Sequence, residues 1–186
     1  RRLSTVFYRP IGGVHPTVLN SIESGRKPMA TDPKTIIDTA ISAERAKALL
    51  INLVKIPSPQ TDRFEAEPLL AAFIREAIEP RLREAGITDI RYDAMNNLIA
   101  QYGADISGKS LMFIGNAMNQ PQSTMKNAYD GDVVNGATLD LPGEVVLGKG
   151  ASEQKANLAA MLHAFETIIA SDIAVNGKLV FVCCVS

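Results

Sequence analysis

The sequence predicts an α/β fold in which helices cover a β-sheet. Segments with the helical period alternate along the chain with short apolar runs that are typical of strands. One of these runs, Leu111–Gly115, leads into a polar turn, and a glycine-bearing loop at 148–150 leads into the strongest helical pattern. Strand ends and helix starts are where α/β proteins assemble binding sites. The sequence therefore predicts a functional site at this junction.

Two helices are predicted in residues 34–54, where apolar positions recur at helical spacing. Ser42 is placed to cap the second of them. The next helix is predicted to begin at a Thr61 or Asp62 cap and to end or kink at Pro80. Its apolar stripe has the spacing i, i+3, i+4, i+7 and i+8 and consists of Leu70, Phe73, Ile74, Ala77 and Ile78.

Four segments have the character of strands. Asp89–Asp93 and Asn97–Tyr102 are predicted to be joined by a short turn. Lys109–Gly115 is nearly continuous in apolar residues, which is typical of a strand at the centre of a sheet. Leu179–Val185 has the same character and is predicted to be a core strand. The long segment Gln120–Glu144, rich in Gly, Asn and Asp, is expected to be functional or to hold a small hairpin.

The strongest predicted helix begins after a cap at Ser152. Its apolar stripe consists of Leu158, Met161, Leu162, Phe165, Ile168 and Ile169. His163 lies roughly opposite this stripe at ~100° per residue, so we expect it to face solvent or a partner. Glu153 follows the cap, which predicts a carboxylate in the first turn of the helix.

Cys183 and Cys184 are adjacent in the last predicted strand. Neighbouring strand residues point to opposite faces of a sheet, so the two sulfurs are poorly placed to bond each other. Buried reduced thiols are the favoured interpretation and indicate a cytoplasmic protein. A reactive cysteine is the alternative, which the apolar run around the pair disfavours.

Residues 1–33 have no sustained period and are interpreted as a weakly ordered tail, which contains His15 and, at Met29, a candidate natural start. Residues 34–186 are predicted to form the amino-terminal part of an α/β domain. A core strand at the end of the chain has no following helix to cover it, so we expect the chain to be a fragment of a longer protein.

Composition excludes several classes of function. The formal net charge is −1, from 19 basic and 20 acidic residues, so we expect neither a nucleic acid nor an anionic membrane as a partner. Aromatic residues make up 5% of the chain and Trp is absent, which disfavours base stacking. The sequence has no apolar run long enough to span a membrane.

Two short patterns resemble binding loops but fail at particular positions. The segment 143–150 has the spacing of a nucleotide-binding loop, but Gly150 stands where Ser or Thr would bind magnesium. The segment 130–135 begins like a calcium-binding loop. It places Val134 where the loop needs a ligand and Asn135 where it needs Gly.

Four blocks in a fixed order carry a more specific pattern: 53–59 (Leu-Val-Lys-Ile-Pro-Ser-Pro), 113–121 (Phe-Ile-Gly-Asn-Ala-Met-Asn-Gln-Pro), 148–155 (Gly-Lys-Gly-Ala-Ser-Glu-Gln-Lys) and the closing strand to Ser186. In this order they resemble the metallohydrolase family of zinc aminoacylases, acetylornithine deacetylases, succinyl-diaminopimelate desuccinylases and carboxypeptidase G. The family has His-x-Asp in the second block and Gly-Arg-Gly-x-x-Asp-x-Lys in the third.

The resemblance assigns roles to particular residues, and some of them depart from the family pattern. Asn116 stands at the first zinc-ligand His, Met118 at the Asp that orients it, and Glu153 at the metal-bridging Asp. An amide is a poor zinc ligand beside imidazole or carboxylate, and a thioether cannot orient an imidazole. Glu153 and Asn116 are therefore the candidate metal ligands, while Lys149 and Lys155 are expected to be structural.

The resemblance implies a mixed sheet flanked by helices, as part of a zinc-exopeptidase-like catalytic domain. It implies zinc or another divalent metal as the cofactor, and acids of the long segment (Asp130, Asp132 or Asp140) are candidate replacement ligands. In such sites two zinc ions about 3.5–4 Å apart share a carboxylate and a water.

The implied activity is hydrolysis of amide bonds in N-acyl amino acids, small peptides or related compounds. It belongs to a full-length parent, which in this family is commonly a homodimer, and we expect the fragment alone to be inactive. The alternative is a degenerate, non-catalytic family member that acts as a binding or assembly protein. Asn116 and Met118 favour this alternative.

Overall fold

The computed structural model describes residues 32–104, 106–171 and 173–185. Their α-helices are α1 (Pro33–Ala40), α2 (Ala43–Val54), α3 (Pro68–Phe73), α4 (Glu79–Glu84) and α5 (Gln154–Ala170). Their strands are β1 (Asp89–Tyr92), β2 (Leu98–Tyr102), β3 (Ser110–Asn116), β4 (Val133–Asn135), β5 (Glu144–Val146) and β6 (Lys178–Cys184). The predicted tail lies almost entirely outside the described residues, although Pro33 already begins α1.

The main sheet has four strands in the order β1-β2-β6-β3. β2 pairs antiparallel with both β1 and β6, whereas β3 pairs parallel with β6. The sheet is therefore mixed, and helices flank it, as the family resemblance implied. Three aromatic rings join α5 to this sheet: Phe165 packs edge-on against Phe113 at 5.4 Å and against Phe181 at 5.6 Å between ring centroids.

The prediction that residues 109–115 form a central strand was wrong for the part of the chain that is described. β3 lies at one edge of the sheet, and β6 is interior. Leu111, Met112 and Ile114 keep 56%, 54% and 60% of their surface exposed. An apolar run records the character of a strand's side chains, but it does not specify how many neighbouring strands pair with it.

The predicted cap of α2 is present, whereas that of the next helix is not. The Ser42 cap is confirmed, because its hydroxyl oxygen accepts a bond from the Arg45 backbone N–H at 3.2 Å. The predicted cap at Thr61 or Asp62 was wrong. Glu67 caps α3 instead, by accepting from the Leu69 N–H, and the Thr61 hydroxyl donates to the other oxygen of that carboxylate at 2.6 Å.

Pro80 does not end the helical run. A π-helical turn, Ile74–Ile78, follows α3, and Pro80 then lies in the first turn of α4. A proline has no N–H to donate, and an early position in a helical turn tolerates this loss. The run ends before Gly86, which adopts a φ of +99°.

The long segment holds a small hairpin, as predicted. β4 and β5 pair antiparallel, and a 3₁₀ helix, Gly136–Leu139, lies between them. Within the described residues no helix combines the length and the apolarity that a membrane crossing requires.

His163 was predicted to face solvent or a partner, and this prediction was wrong. Its side chain is buried, and its Nε2 atom accepts a hydrogen bond from the Ser42 backbone N–H at 3.0 Å. The link from α1 to α2 packs over the face of α5 that carries His163. A helical period identifies two faces of a helix, but a second layer of helices can cover the more polar one.

Both cysteines are free, as expected. Cys183 is fully buried and Cys184 is half-buried. Burial raises the pKa of the Cys183 thiol well above its usual value, which disfavours the thiolate that a reactive cysteine needs.

Candidate functional site

The end of β3 brings the first candidate ligand to the edge of the sheet. Asn116 is the last residue of β3 and pairs in parallel register with Cys184 of β6. The next residue, Ala117, donates its N–H to the Cys184 carbonyl oxygen at 2.7 Å, so the chain stays attached to the sheet beyond the strand. Met118 is half-buried and packs against the hydrophobic core, where an apolar side chain is stabilising.

The loop before α5 requires glycine at two positions. A Cβ atom at Gly148 would lie 2.2 Å from Val54 Cγ1, well inside contact distance. Gly150 adopts a φ of +84°, and a Cβ atom there would lie 3.1 Å from Asn119 Cβ. These glycines allow the loop to approach both the end of α2 and the turn that follows β3.

Asn119 ties three segments together, and the sequence analysis assigned it no role. It is 1% exposed. Its Oδ1 accepts a bond from the Ser58 hydroxyl at 2.9 Å, and its backbone N–H donates to the Ser58 carbonyl at 2.8 Å. Its own carbonyl accepts from the Gln60 N–H at 2.8 Å, while its Cβ abuts Gly150. The available signal was the position of Asn119 a few residues after an apolar strand, because an amide that is buried there must find several partners.

Glu153 lies at the N-cap position of α5 with its side chain exposed. Its N–H donates to the Gly150 carbonyl at 3.2 Å, which holds the residue in the turn. The prediction of a Ser152 cap was wrong: no side chain caps this helix, and the chain enters it through a bend at Glu153. A carboxylate at this position is favoured by the positive end of the helix dipole.

Lys155 is buried below the same loop. Its side chain is 0% exposed, and its ammonium donates a 2.6 Å bond to the Ile56 carbonyl oxygen. The ammonium also lies over the rings of Phe73 and Tyr129, at 5.1 Å and 5.6 Å from their centroids. Burial lowers the pKa of Lys155 to about 8, because the enclosed ammonium loses its contact with water.

The two loops of the predicted site meet, although at residues next to the candidate ligands. Asn119 contacts Gly150, and these residues lie three positions after Asn116 and three positions before Glu153. That the side chains of Asn116 and Glu153 converge on one cation stays a prediction. The contact places the carboxyl end of β3 beside the amino end of α5, which is the junction that the sequence indicated.

The described residues do not by themselves fit a zinc centre. They contain no group of three or more His, Cys, Asp or Glu side chains arranged to hold a metal ion. Asp130, Asp132 and Asp140 form no such group with Glu153 among the described residues, and their role as replacement ligands stays a prediction. Asn116 offers an amide oxygen and Met118 a thioether, and both are weak partners for zinc compared with imidazole and carboxylate.

No model of a known protein family matches the chain, and no curated protein matches it either. Solved structures do match. The dipeptidase Dug1p of Saccharomyces cerevisiae aligns with a TM-score of 0.59 and 16% identity, over 81% of this chain and 33% of the dipeptidase. Human carnosine dipeptidase 1 aligns with a TM-score of 0.62 and 16% identity, over 81% of this chain and 34% of the other.

A tripeptidase of Staphylococcus aureus aligns with a TM-score of 0.58 and 21% identity, over 78% of this chain and 37% of the tripeptidase. The chain thus spans about a third of the length of the structures that it matches. At these identities the likeness establishes the fold: the described residues have the architecture of one part of these peptidases.

Proposed function

We propose that the chain is the amino-terminal part of a hydrolase that cleaves amide bonds, in small peptides, N-acyl amino acids or related compounds. The observation that carries the proposal is the position of Glu153. It presents an exposed carboxylate at the start of α5, at the strand-to-helix junction of a fold shared with dipeptidases and a tripeptidase.

The surroundings of Glu153 hold the backbone from which its exposed carboxylate projects. The loop that carries it is held from below by Lys155 and from the side by Asn119, through Gly150. A held backbone limits the positions that the carboxylate can reach, which favours binding of a cation or a polarised substrate at this point of the fold. The family resemblance assigns the chemistry to a divalent cation, for which Glu153 is one charged ligand.

A second candidate function rests on a different observation. Asn116 and Met118 replace the residue types that such chemistry uses, and the described residues form no cluster of metal ligands. These features favour a non-catalytic family member that binds a partner or a ligand through the retained fold. The cytoplasmic location and the homodimer also stay predictions.

Metal content and hydrolysis of the full-length protein distinguish the two functions. The protein is purified without chelators, its zinc, manganese and cobalt are quantified, and it is tested on dipeptides and N-acyl amino acids. The hydrolase is supported if the wild type binds metal and turns over substrate and Glu153→Gln loses both properties. The control Glu76→Gln, at an exposed position, should keep both. Protein without metal and without turnover contradicts it.

A gain-of-ligand variant tests the degenerate alternative directly. Asn116→His combined with Met118→Asp restores the residue types of the family pattern. Tight metal uptake by the double variant alone supports the non-catalytic function. Equal uptake by the wild type and the double variant supports the enzyme.

A further inference from the structure

A histidine of α5 holds the joint between α1 and α2. His163 is 5% exposed, and its Nε2 atom accepts a hydrogen bond from the backbone N–H of Ser42 at 3.0 Å. Ser42 is the residue that caps α2, and Ile41, just before it, ends α1 by donating its own N–H to the Ile37 carbonyl oxygen. The imidazole therefore fixes the residue at which the two helices meet.

The α1 helix makes only shallow contacts with the part of the chain that is described. It has 8 residues, none of which is buried, and a helix of this length is marginally stable by itself in water. Ile36 and Ile37 are half-buried, Ala40 lines a small cavity at the surface of α5, and the Lys34–Asp38 ion pair is exposed. Segments with so few buried contacts open at a low free-energy cost, so the bond at the end of α1 contributes a large share of what holds it.

Only a neutral imidazole can accept this bond. The lone pair of Nε2 receives the Ser42 N–H, so the single ring proton of neutral His163 lies on Nδ1. An imidazolium carries a proton on both nitrogens. Protonation would therefore place two N–H donors against each other and leave a charge in a buried position. The bond is present when the imidazole is neutral, and it is lost as the pH falls through the range of about 5–8 in which histidines change charge.

The charged groups around His163 do not replace the lost bond. The cavity that it borders is also lined by Arg45 of α2 and Glu166 of α5. One oxygen of the Glu166 carboxylate already accepts two bonds from the guanidinium of Arg81 of α4, at 2.9 Å and 3.1 Å. The carboxylate is thus shared with one guanidinium, and a second guanidinium lines the same cavity. Neither offers the Ser42 N–H a new acceptor.

We propose that His163 and the Ser42 backbone form a pH-sensitive latch, which holds α1 on α5 at neutral pH and releases it in mild acid. The opening is local, because the apolar stripe of α5 packs on the sheet and does not depend on α1. The latch requires neither Glu153 nor a metal, so its test is independent of the hydrolase proposal.

Amide hydrogen exchange of the chain at about pH 7.5 and about pH 5.5 tests the latch, with each rate corrected for the intrinsic effect of pH. Protection of the amides in residues 36–42 should fall by about tenfold at the lower pH, whereas the amides of β6 should keep their protection. Nitrogen-15 NMR of the imidazole supplies a second measurement. At about pH 7.5 the ring proton of His163 should lie on Nδ1.

Two substitutions separate the bond from the charge. His163→Gln supplies an amide oxygen that can accept from the Ser42 N–H and does not titrate, so protection of residues 36–42 should be the same at both pH values. His163→Leu removes the acceptor, and protection should be low at both. His15→Gln replaces the other histidine of the chain and is the matched control, which should behave like the wild type.

Three outcomes overturn the proposal. Equal protection of residues 36–42 at the two pH values in the wild type is one. A loss of protection in His163→Gln as large as that in the wild type is another, because a different titrating group would then control the helix. The third is a ring proton on Nε2 of His163 at neutral pH, since that tautomer cannot accept the bond. If the variants do not fold, the pH dependence and the tautomer of the wild type decide the question.

Discussion

Lys155→Met tests whether the ammonium below the candidate site is as desolvated as the structure indicates. The substitution keeps an unbranched side chain of similar length between Phe73 and Tyr129 but removes the charge and the bond to the Ile56 carbonyl. A methionine fills irregular space in a core, so packing should change little.

The magnitude follows from the pKa. Burial lowers the pKa of Lys155 from 10.5 to about 8. Each pKa unit corresponds to about 1.4 kcal/mol. Charging this side chain therefore costs the folded state about 3 kcal/mol relative to the unfolded chain. The unfolded chain binds the proton more tightly. The cost is therefore fully present below pH 8 and is relieved as the pH rises from 8 towards 10.5.

The assay is urea-induced unfolding of the wild type and of Lys155→Met at intervals between pH 7 and 10.5. The free energy of unfolding of the wild type, taken relative to the variant, should rise by up to about 3 kcal/mol across this range. The raised pKa of Cys183 acts in the opposite direction above pH 9, where its thiol deprotonates in the unfolded chain. This contribution is common to both proteins and cancels in the difference.

Lys126→Met is the matched control, because Lys126 is exposed. It should follow the pH dependence of the wild type. Parallel curves for the wild type and Lys155→Met would refute the reasoning, since they would mean that the ammonium is solvated in the folded chain. The constant offset between the curves reports the loss of the Ile56 bond, about 1–3 kcal/mol if that carbonyl stays buried without a partner.

Three further variants test the local architecture by chemical denaturation. Gly150→Ala should destabilise the fold by about 1–2 kcal/mol, because a φ of +84° disfavours any side chain and Asn119 lies 3.1 Å from the new Cβ; unchanged stability would contradict this geometry. Asn119→Leu should cost about 1–3 kcal/mol by leaving the buried Ser58 hydroxyl without its acceptor, and the double variant with Ser58→Ala should recover part of that loss. Ser42→Ala should cost about 0.5–2 kcal/mol through loss of the α2 cap, whereas Ser42→Asp should retain most of the stability.

The sequence predicted the elements whose signals are local. The apolar stripe of α5 is buried at Leu158, Leu162 and Phe165, and the cap at Ser42 and the hairpin in the long segment are present. These features depend on periodicity and on hydrogen bonds between near neighbours. Such interactions are set within a few residues, so a pattern in the sequence can identify them, although the caps predicted at Thr61 or Asp62 and at Ser152 were wrong.

At the candidate site the sequence indicated the correct junction, but it did not indicate which side chains hold the loop before α5 in place. Glu153 lies at the start of α5, near the predicted position, whereas the predicted Ser152 cap is absent. Asn119 and the burial of Lys155 were missed as a means of holding the loop. Their partners, Ser58 and Ile56, lie far away in the chain, and no short pattern records which distant atoms a polar side chain will meet.

The sequence alone determined the order of helices and strands, the glycines that permit the loop before α5, and the residue types available for chemistry at Asn116 and Glu153. Tertiary structure decided that β3 lies at an edge among the described strands, that His163 is covered by the link between α1 and α2, and that the Lys155 ammonium is enclosed over the Phe73 ring. The physical reason is that periodicity describes the faces of one element. Burial and pairing depend on which other elements pack against those faces.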